Sequence, residues 1–181
     1  MSLDGFIKIT EEMIYHEVGK LPLCEWVSGI FTGHCCDYEY SLADAIVDCE
    51  SPIEQAMALE MERIGLFNSR YFTAGEIDIV SIDKQVVLQV NEKKYRVDFL
   101  IPVVYHIKQG NFGKLFVVEC DGHDYHEKTK EQVAKNNQRE RDLKSAGYEV
   151  VRFSGSEIYK SPHKCIKDLL RIISSQRFEV D

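Results

Sequence analysis

The stretch Leu115-Phe116-Val117-Val118-Glu119-Cys120-Asp121-Gly122 places two carboxylates at the end of an apolar run. Successive side chains of a strand point to opposite faces, so Glu119 and Asp121 leave the same face of this predicted strand. Two like charges at this spacing destabilise each other unless one is protonated or a cation lies between them. Carboxylate oxygens are ligands that Mg²⁺ prefers. Spacing alone leaves a metal site and a solvated strand end as equal alternatives.

A third carboxylate, Asp98, lies in the middle of an earlier apolar run over residues 95–101. The side chains of Val97, Phe99 and Ile101 are predicted to share one face, and Asp98 shares the other with Arg96. A carboxylate is costly to bury unless something positive pairs with it. Asp98 therefore predicts a cation site, with a salt bridge to Arg96 or a strand end as the alternatives.

Helical and extended patterns alternate around these carboxylates. Ser51-Pro52-Ile53-Glu54 is a helix-start signature and predicts a helix over residues 52–64. Strands are predicted over residues 77–82, 86–90, 95–104 and 115–120, punctuated by Asn91-Glu92, by Pro102 inside the third strand and by Gly113. A polar helix over 127–146 that ends before Gly147, a strand over 148–153 and a helix over 163–173 follow. This order predicts an α/β layered domain with a mixed β-sheet flanked by helices.

Composition sets broad limits on the class of protein. The chain has 181 residues, 44% of them hydrophobic, which is enough for one core in residues 46–181 behind a helical or irregular extension over residues 1–45. No apolar window is long enough for a membrane span, and no signal peptide is visible, so we expect a soluble cytoplasmic protein with its six cysteines reduced. The net charge of −8 argues against a protein that coats nucleic acid, although a local basic surface can override the total.

The ordered set of motifs resembles the PD-(D/E)XK nuclease superfamily. Asp98 is followed on a later strand by Glu119-x-Asp121, and Glu54 lies on a preceding helix. More narrowly, residues 115–153 resemble the branch related to very-short-patch-repair endonucleases and uncharacterised bacterial relatives. The matching positions are Glu119-Cys120-Asp121-Gly122, His126, Arg139, Leu143, Gly147 and Arg152-Phe153. The resemblance covers residues 51–158 and implies a restriction-endonuclease-like fold.

This resemblance implies a metal-dependent DNA endonuclease. Mg²⁺, or Mn²⁺ as a substitute, would be held by Asp98, Glu119 and Asp121, and Glu54 would orient metal-bound waters. His126 is the candidate general base, because the ordinary pKa of histidine lies near working pH. The alternative for Glu54 is a capping box with Ser51.

One departure from the superfamily pattern concerns the cation. Asp121 stands where the pattern has lysine, so His126, Lys130 or the metal itself must take over that role. Lys128 and Lys130 are candidate nucleic-acid contacts, although mixed charge runs are usually solvated helix faces. Arg139 joins them as a candidate, and its place one turn before Leu143 indicates that it points inward toward an acidic partner.

Two other classes of function stay open at this level. A nuclease fold that has lost turnover would bind nucleic acid or a protein without needing metal, and the missing lysine favours it. An RNA nuclease is the other, because nothing in the sequence reads a 2′-hydroxyl. The oligomeric state is likewise open, with a homodimer among the alternatives. A zinc site at His34-Cys35-Cys36 is only weakly indicated, because paired Cys-x-x-Cys spacing is missing.

Overall fold

The structure, a computed structural model, describes residues 44–66, 77–108, 110–122 and 129–176. Residues 1–43, with the His34-Cys35-Cys36 run and nearly all of the predicted extension, lie outside the described residues. His126 and Lys128 lie outside them as well. No described helix has the length and apolar character that a membrane span requires.

Four helices and five strands make up the described part of the chain. In chain order they are α1 (Pro52–Arg63), β1 (Ile77–Ile79), β2 (Asp83–Val90), β3 (Lys93–Ile107), β4 (Gly110–Asp121), α2 (Lys130–Ser145), β5 (Tyr148–Ser154), α3 (Gly155–Lys160) and α4 (Pro162–Ser174). All the predicted helices and strands are present. Helix α3 was not predicted, and it begins directly after β5 because Ser154 forms a capping box with Glu157.

The sheet is mixed, as predicted. Strands β2, β3 and β4 form an antiparallel meander, and the short β1 pairs with the second half of β3. Strand β5 pairs in parallel with β4 after the crossover through α2. The fold is therefore the predicted α/β fold of a curled mixed sheet flanked by helices.

The predicted break at Gly113 is wrong, because Gly113 lies inside β4 opposite Val104. Pro102 lies inside β3 opposite Leu115, within the strand predicted over residues 95–104. The carbonyl of Pro102 accepts a hydrogen bond from the Val80 backbone, just past the end of β1. In a strand, the N–H and C=O of one residue point to the same side. The side where Pro102 lacks an N–H therefore faces Val80 and not β4, so no hydrogen bond to β4 is lost.

The predicted break at Asn91-Glu92 is confirmed. Asn91 and Glu92 form the tight turn between β2 and β3, and both have positive φ, at 49° and 64°. Paired positive φ angles at the two central residues are the geometry of a type I′ hairpin, whose twist matches that of the flanking strands.

Two apolar layers cover the two faces of the sheet. The larger layer packs Phe99, Ile101 and Phe116 against helices α1, α3 and α4. The smaller layer packs Val97 and Val117 against Leu143 of α2. Val97 and Phe99 therefore contact different layers, and the prediction that they share a face is wrong. The regular alternation of side chains along β3 is therefore interrupted between Val97 and Phe99, at Asp98.

Candidate functional site

The regular pairing of β3 with β4 stops next to Asp98. The last paired residues are Phe99 and Val118, and one step further the register sets Asp98 opposite Glu119. At that step the Asp98 carboxylate accepts a hydrogen bond from the Cys120 backbone N–H at 2.7 Å, where a backbone carbonyl would otherwise be the acceptor. The structure thus brings two of the three predicted carboxylates together at the point where the two strands separate.

The alternative salt bridge between Asp98 and Arg96 is not formed. The Arg96 guanidinium instead binds the Glu50 carboxylate through two hydrogen bonds, one of them 2.6 Å between Nη1 and Oε1. Asp98 therefore has no pairing with its neighbour on β3 to explain its position. Its burial raises its pKa to about 6, and the charges of Glu54 and Asp121 add to this, while the Cys120 N–H and Arg139 oppose it.

Glu119 is buried and pairs with a cation from helix α2. Its Oε1 accepts a hydrogen bond from Arg139 Nη2 at 2.7 Å. Burial still raises the pKa of Glu119 to about 7, because the attraction of Arg139 is smaller than the cost of desolvation. A proton or a cation at this carboxylate would relieve that cost.

Arg139 points inward, as the sequence indicates. Besides Glu119 it contacts the backbone carbonyl of Arg96 on β3, so one side chain connects α2 to both central strands. Leu143, one turn later, is fully buried and anchors the helix against the sheet. Arg139 therefore lies within the carboxylate cluster, whereas Lys130 is exposed in the first turn of α2.

Asp121, the third predicted carboxylate, pairs with Arg152 on β5. In the sequence, Arg152 is part of the matching Arg152-Phe153 motif and has no predicted role. Arg152 Nη1 on β5 lies 3.3 Å from Asp121 Oδ2, and Arg152 Nε lies 3.5 Å from Glu140 Oε2. The parallel register also sets Arg152 opposite Glu119. The signal in the sequence that could have indicated Arg152 is its place as a charged residue between apolar neighbours in a predicted strand.

Glu54 is buried at the start of α1 and accepts three hydrogen bonds. Ser51 Oγ donates to its Oε1 at 2.6 Å, and the Glu50 N–H and the Gln85 amide donate to its Oε2 at 2.9 and 2.7 Å. The half of the predicted capping box that is present is the bond from the Glu54 N–H to Ser51 Oγ, at 3.3 Å, while the Glu54 carboxylate bonds the Glu50 N–H and the Ser51 hydroxyl in place of the Ser51 N–H. The bond from Gln85 connects Glu54 to strand β2.

Asp78 on β1 is another carboxylate of the sheet, and it lies away from this cluster. Its carboxylate binds His106 at 2.6 Å, and its backbone is opposite Val104. Six residues along β3 separate Val104 from Asp98, which is about 20 Å at the rise of a strand. Asp78 belongs to the far end of the sheet.

The donors around Asp98 are chemically suited to a hard divalent cation. They are carboxylate oxygens whose pKa values burial raises, so a cation would relieve a cost that the protein already carries. In the described ranges, however, no three histidine, cysteine or acidic side chains are already grouped as a metal site. Glu119 and Asp121 are engaged by Arg139 and Arg152, so a cation would have to compete with these arginines.

The sheet is mixed, curled and flanked by helices, and its acidic side chains lie at the open end of the hairpin formed by β3 and β4. This arrangement is typical of the restriction-endonuclease-like class. The chain belongs to the restriction-endonuclease-like family REase_MTES_1575, whose family model matches residues 77–173. Comparison with curated proteins finds no match, and comparison with solved structures finds none either. The family places the chain among nuclease-like proteins. The matched range contains Asp98, Glu119 and Asp121 and begins after Glu54.

Proposed function

We propose that this protein is a metal-dependent DNA endonuclease that hydrolyses phosphodiester bonds. The observation that carries the proposal is the position of Asp98 opposite Glu119, at the step where β3 and β4 stop pairing. A half-buried and a buried carboxylate at such a step are costly to keep charged, and a divalent cation between them would relieve more of that cost than Arg139 alone. Membership of a restriction-endonuclease-like family supports the choice of phosphodiester bonds as the substrate.

The three carboxylates have the role of holding a divalent cation, Mg²⁺ or Mn²⁺. Asp98 and Glu119 are the principal ligands and Asp121 is the third. The bound cation would polarise the phosphate and lower the pKa of a coordinated water. In the hydrolysis a water oxygen bonds to phosphorus, the bond to the leaving oxygen breaks, and that oxygen takes up a proton. His126 remains the proposed proton acceptor, and it lies outside the described residues.

Arg152 supplies the positive charge that the superfamily pattern assigns to lysine. Asp121 occupies the lysine position, and Arg152 reaches Asp121 from the neighbouring strand. The side chain is mostly buried, with 22% of its surface exposed, so its charge acts in a medium of low polarity. A fixed cation there stabilises negative charge that develops on phosphorus oxygens.

The test is cleavage of supercoiled, linear, mismatched and single-stranded DNA, and of RNA, in Mg²⁺, in Mn²⁺ and in EDTA. We expect cleavage of DNA in metal only. Replacing Asp98→Asn or Glu119→Gln should abolish it, because each removes a ligand charge. Asp83→Asn is the matched control, since Asp83 is an exposed carboxylate on β2 that bonds Ser81 outside the cluster. Absence of cleavage on all DNA substrates in both metals would count against the proposal, and cleavage of RNA alone would change the substrate class.

A catalytically silent nuclease fold is the second candidate, and one observation favours it. Arg139 and Arg152 already neutralise Glu119 and Asp121, so the acidic cluster persists in the fold with internal cations. Such a module would bind nucleic acid or a protein partner equally well in EDTA and in Mg²⁺. Its binding would also be unchanged by Asp98→Asn, whereas an endonuclease loses metal-dependent cleavage in that variant.

A further inference from the structure

Gln85 on β2 has a backbone conformation that is unusual for its residue type. Its φ is +52°, within the left-handed region that non-glycine residues seldom occupy, and it lies inside a strand. Such conformations persist where surrounding structure holds them, and they are concentrated at functional sites. An observed outlier of this kind calls for an account of what its side chain does.

The position of Gln85 in the sheet is directly opposite Asp98. The flanking pairs are Lys84 with Phe99 and Val86 with Val97, in one continuous register, and only the pair Gln85–Asp98 between them is missing from the ladder. On the other side of Asp98, regular pairing with β4 ends at Phe99 and Val118. Asp98 therefore lacks regular pairing toward both neighbouring strands.

The side chain of Gln85 is held in one orientation by Glu54. Gln85 Nε2 donates to Glu54 Oε2 at 2.7 Å. Glu54 also accepts from the Glu50 N–H and from Ser51 Oγ, so its carboxylate is used entirely as an acceptor here. Turning the amide over would place an oxygen against that carboxylate. The amide oxygen, Oε1, must therefore be directed away from Glu54.

That amide oxygen has no hydrogen-bond partner among the described residues. It is closed off from solvent, and no residue within the described ranges donates a hydrogen bond to it. Buried polar atoms in native proteins are nearly always paired, so an oriented and unpaired oxygen beside Asp98 indicates a missing positive group. Amide oxygens of asparagine and glutamine are ligands that hard divalent cations accept together with carboxylates.

We propose that Gln85 is a further ligand of the site, whose amide oxygen completes the oxygen donor set beside Asp98 for a divalent cation. The proposal rests on the proposed function, because it deepens the metal site assigned there. Glu54 orients the Gln85 amide through its hydrogen bond. In this way a buried glutamate on α1 contributes to a site whose carboxylates lie on β3 and β4. The left-handed backbone at Gln85 turns the side chain toward α1.

The test measures Mn²⁺ binding to the protein without DNA, by the loss of the free-ion electron paramagnetic resonance signal. Gln85→Met keeps the length of the side chain and removes the amide, and we expect Mn²⁺ binding to weaken by about 10- to 100-fold. Gln89→Met is the matched control on an exposed position of the same strand, and its binding should be unchanged.

The outcomes separate this inference from the function on which it rests. If the wild type binds Mn²⁺, Asp98→Asn loses it and Gln85→Met keeps it, then the inference about Gln85 is overturned and the metal site stands. If the wild type itself binds no Mn²⁺, both are overturned. Should Gln85→Met fail to fold, Gln85→Gly accepts the positive φ without strain and removes the side chain, and it should show the same loss of binding.

Discussion

Arg152 shows how a charge missing from one position can be supplied by another strand. Its Nη1 approaches Asp121 at 3.3 Å and its Nε approaches Glu140 at 3.5 Å, while Nη2 has no hydrogen-bond partner among the described residues. An unused donor on a cation beside an acidic cluster is available to a phosphate oxygen after a small movement. This is the residue on which we expect the rate of the reaction to depend most, apart from the carboxylates.

Replacing Arg152→Met should lower the rate of metal-dependent cleavage by about 10²- to 10³-fold, the usual effect of removing one donor that stabilises transition-state charge. Arg152→Lys should recover part of the rate, because it keeps a positive charge without the planar fork of donors. The measurement is single-turnover cleavage at saturating metal. Arg171→Met, which removes an exposed arginine paired with Asp168 on α4, serves as the control. Equal rates in Arg152→Met and the control would exclude this role.

The residues of the site differ in how visible they are in the sequence. Asp98, Glu119 and Asp121 could be singled out as candidates because each is a charge within or directly after an apolar strand, which is a local pattern. Gln85 could not be singled out, since its proposed role depends on a left-handed backbone and on the register with β3. Arg152 depends on the parallel pairing of β4 with β5, which brings together residues far apart in the chain.

At the scale of elements, the turn between β2 and β3 is built from residues that do not suit it best. Asn91 tolerates positive φ, but Glu92 at φ 64° carries the steric cost of a Cβ in the left-handed region. Asn-Gly is the pair that type I′ hairpins prefer. The sequence pattern located this turn without indicating the strain within it.

Glu92→Gly should therefore stabilise the protein by about 1 kcal/mol, the cost of the left-handed conformation at that residue less the greater freedom of glycine in the unfolded chain. The Glu92 side chain is exposed, so little packing is lost. Urea unfolding of the wild type and the variant measures the change. Asp83→Gly, at an exposed position of β2 outside the turn, should instead destabilise. A loss of stability in Glu92→Gly would show that its side chain has a stabilising contact.

The helices and the order of strands were predicted well because their caps and periodicity are local. Gly113 was wrongly predicted to lie between two strands. Glycine weakens a strand on average, but here β3 and β4 pair without a break from Phe99 to Ile107, and this pairing overrides local preference. Pro102 is tolerated inside β3 because the side on which it lacks an N–H faces Val80 and not β4. The sequence alone does not show which side of the strand that is.

For the molecule as a whole, the buried carboxylates should make metal-free stability fall as pH rises. Burial raises the pKa of Asp98 from 3.8 to about 6 and that of Glu119 from 4.5 to about 7. Between those ordinary and raised values the folded state binds protons that the unfolded state has released, so the free energy of unfolding decreases from about pH 4 to about pH 7. In EDTA, Asp98→Asn should be more stable than the wild type at pH 8 and show a flatter pH profile.

Saturating Mg²⁺ should raise the stability of the wild type and of the control Asp83→Asn, and leave the stability of Asp98→Asn unchanged. At ten times Kd a ligand stabilises the folded state by about 1.4 kcal/mol, which corresponds to a rise in Tm of about 3 to 6 °C for a chain of this size. Thermal scans of the wild type, Asp98→Asn and the control Asp83→Asn in EDTA and in Mg²⁺ measure both effects. A loss of stability in Asp98→Asn with or without metal would mean that Asp98 has a structural partner and no metal.

The crossover through α2 also has a consequence for the biosynthesis of the protein. Strands β3 and β4 are adjacent in sequence and need only a short turn to pair, whereas β5 reaches β4 after the whole of α2. Long-range pairing has to wait for loop closure, and chains leave the ribosome N-terminus first. Asp98 and Glu119 are therefore synthesised before Arg139 and Arg152 exist. During that interval the nascent hairpin carries its acidic pair without counter-charges, so protons or free cellular cations have to screen it until the last third of the chain emerges.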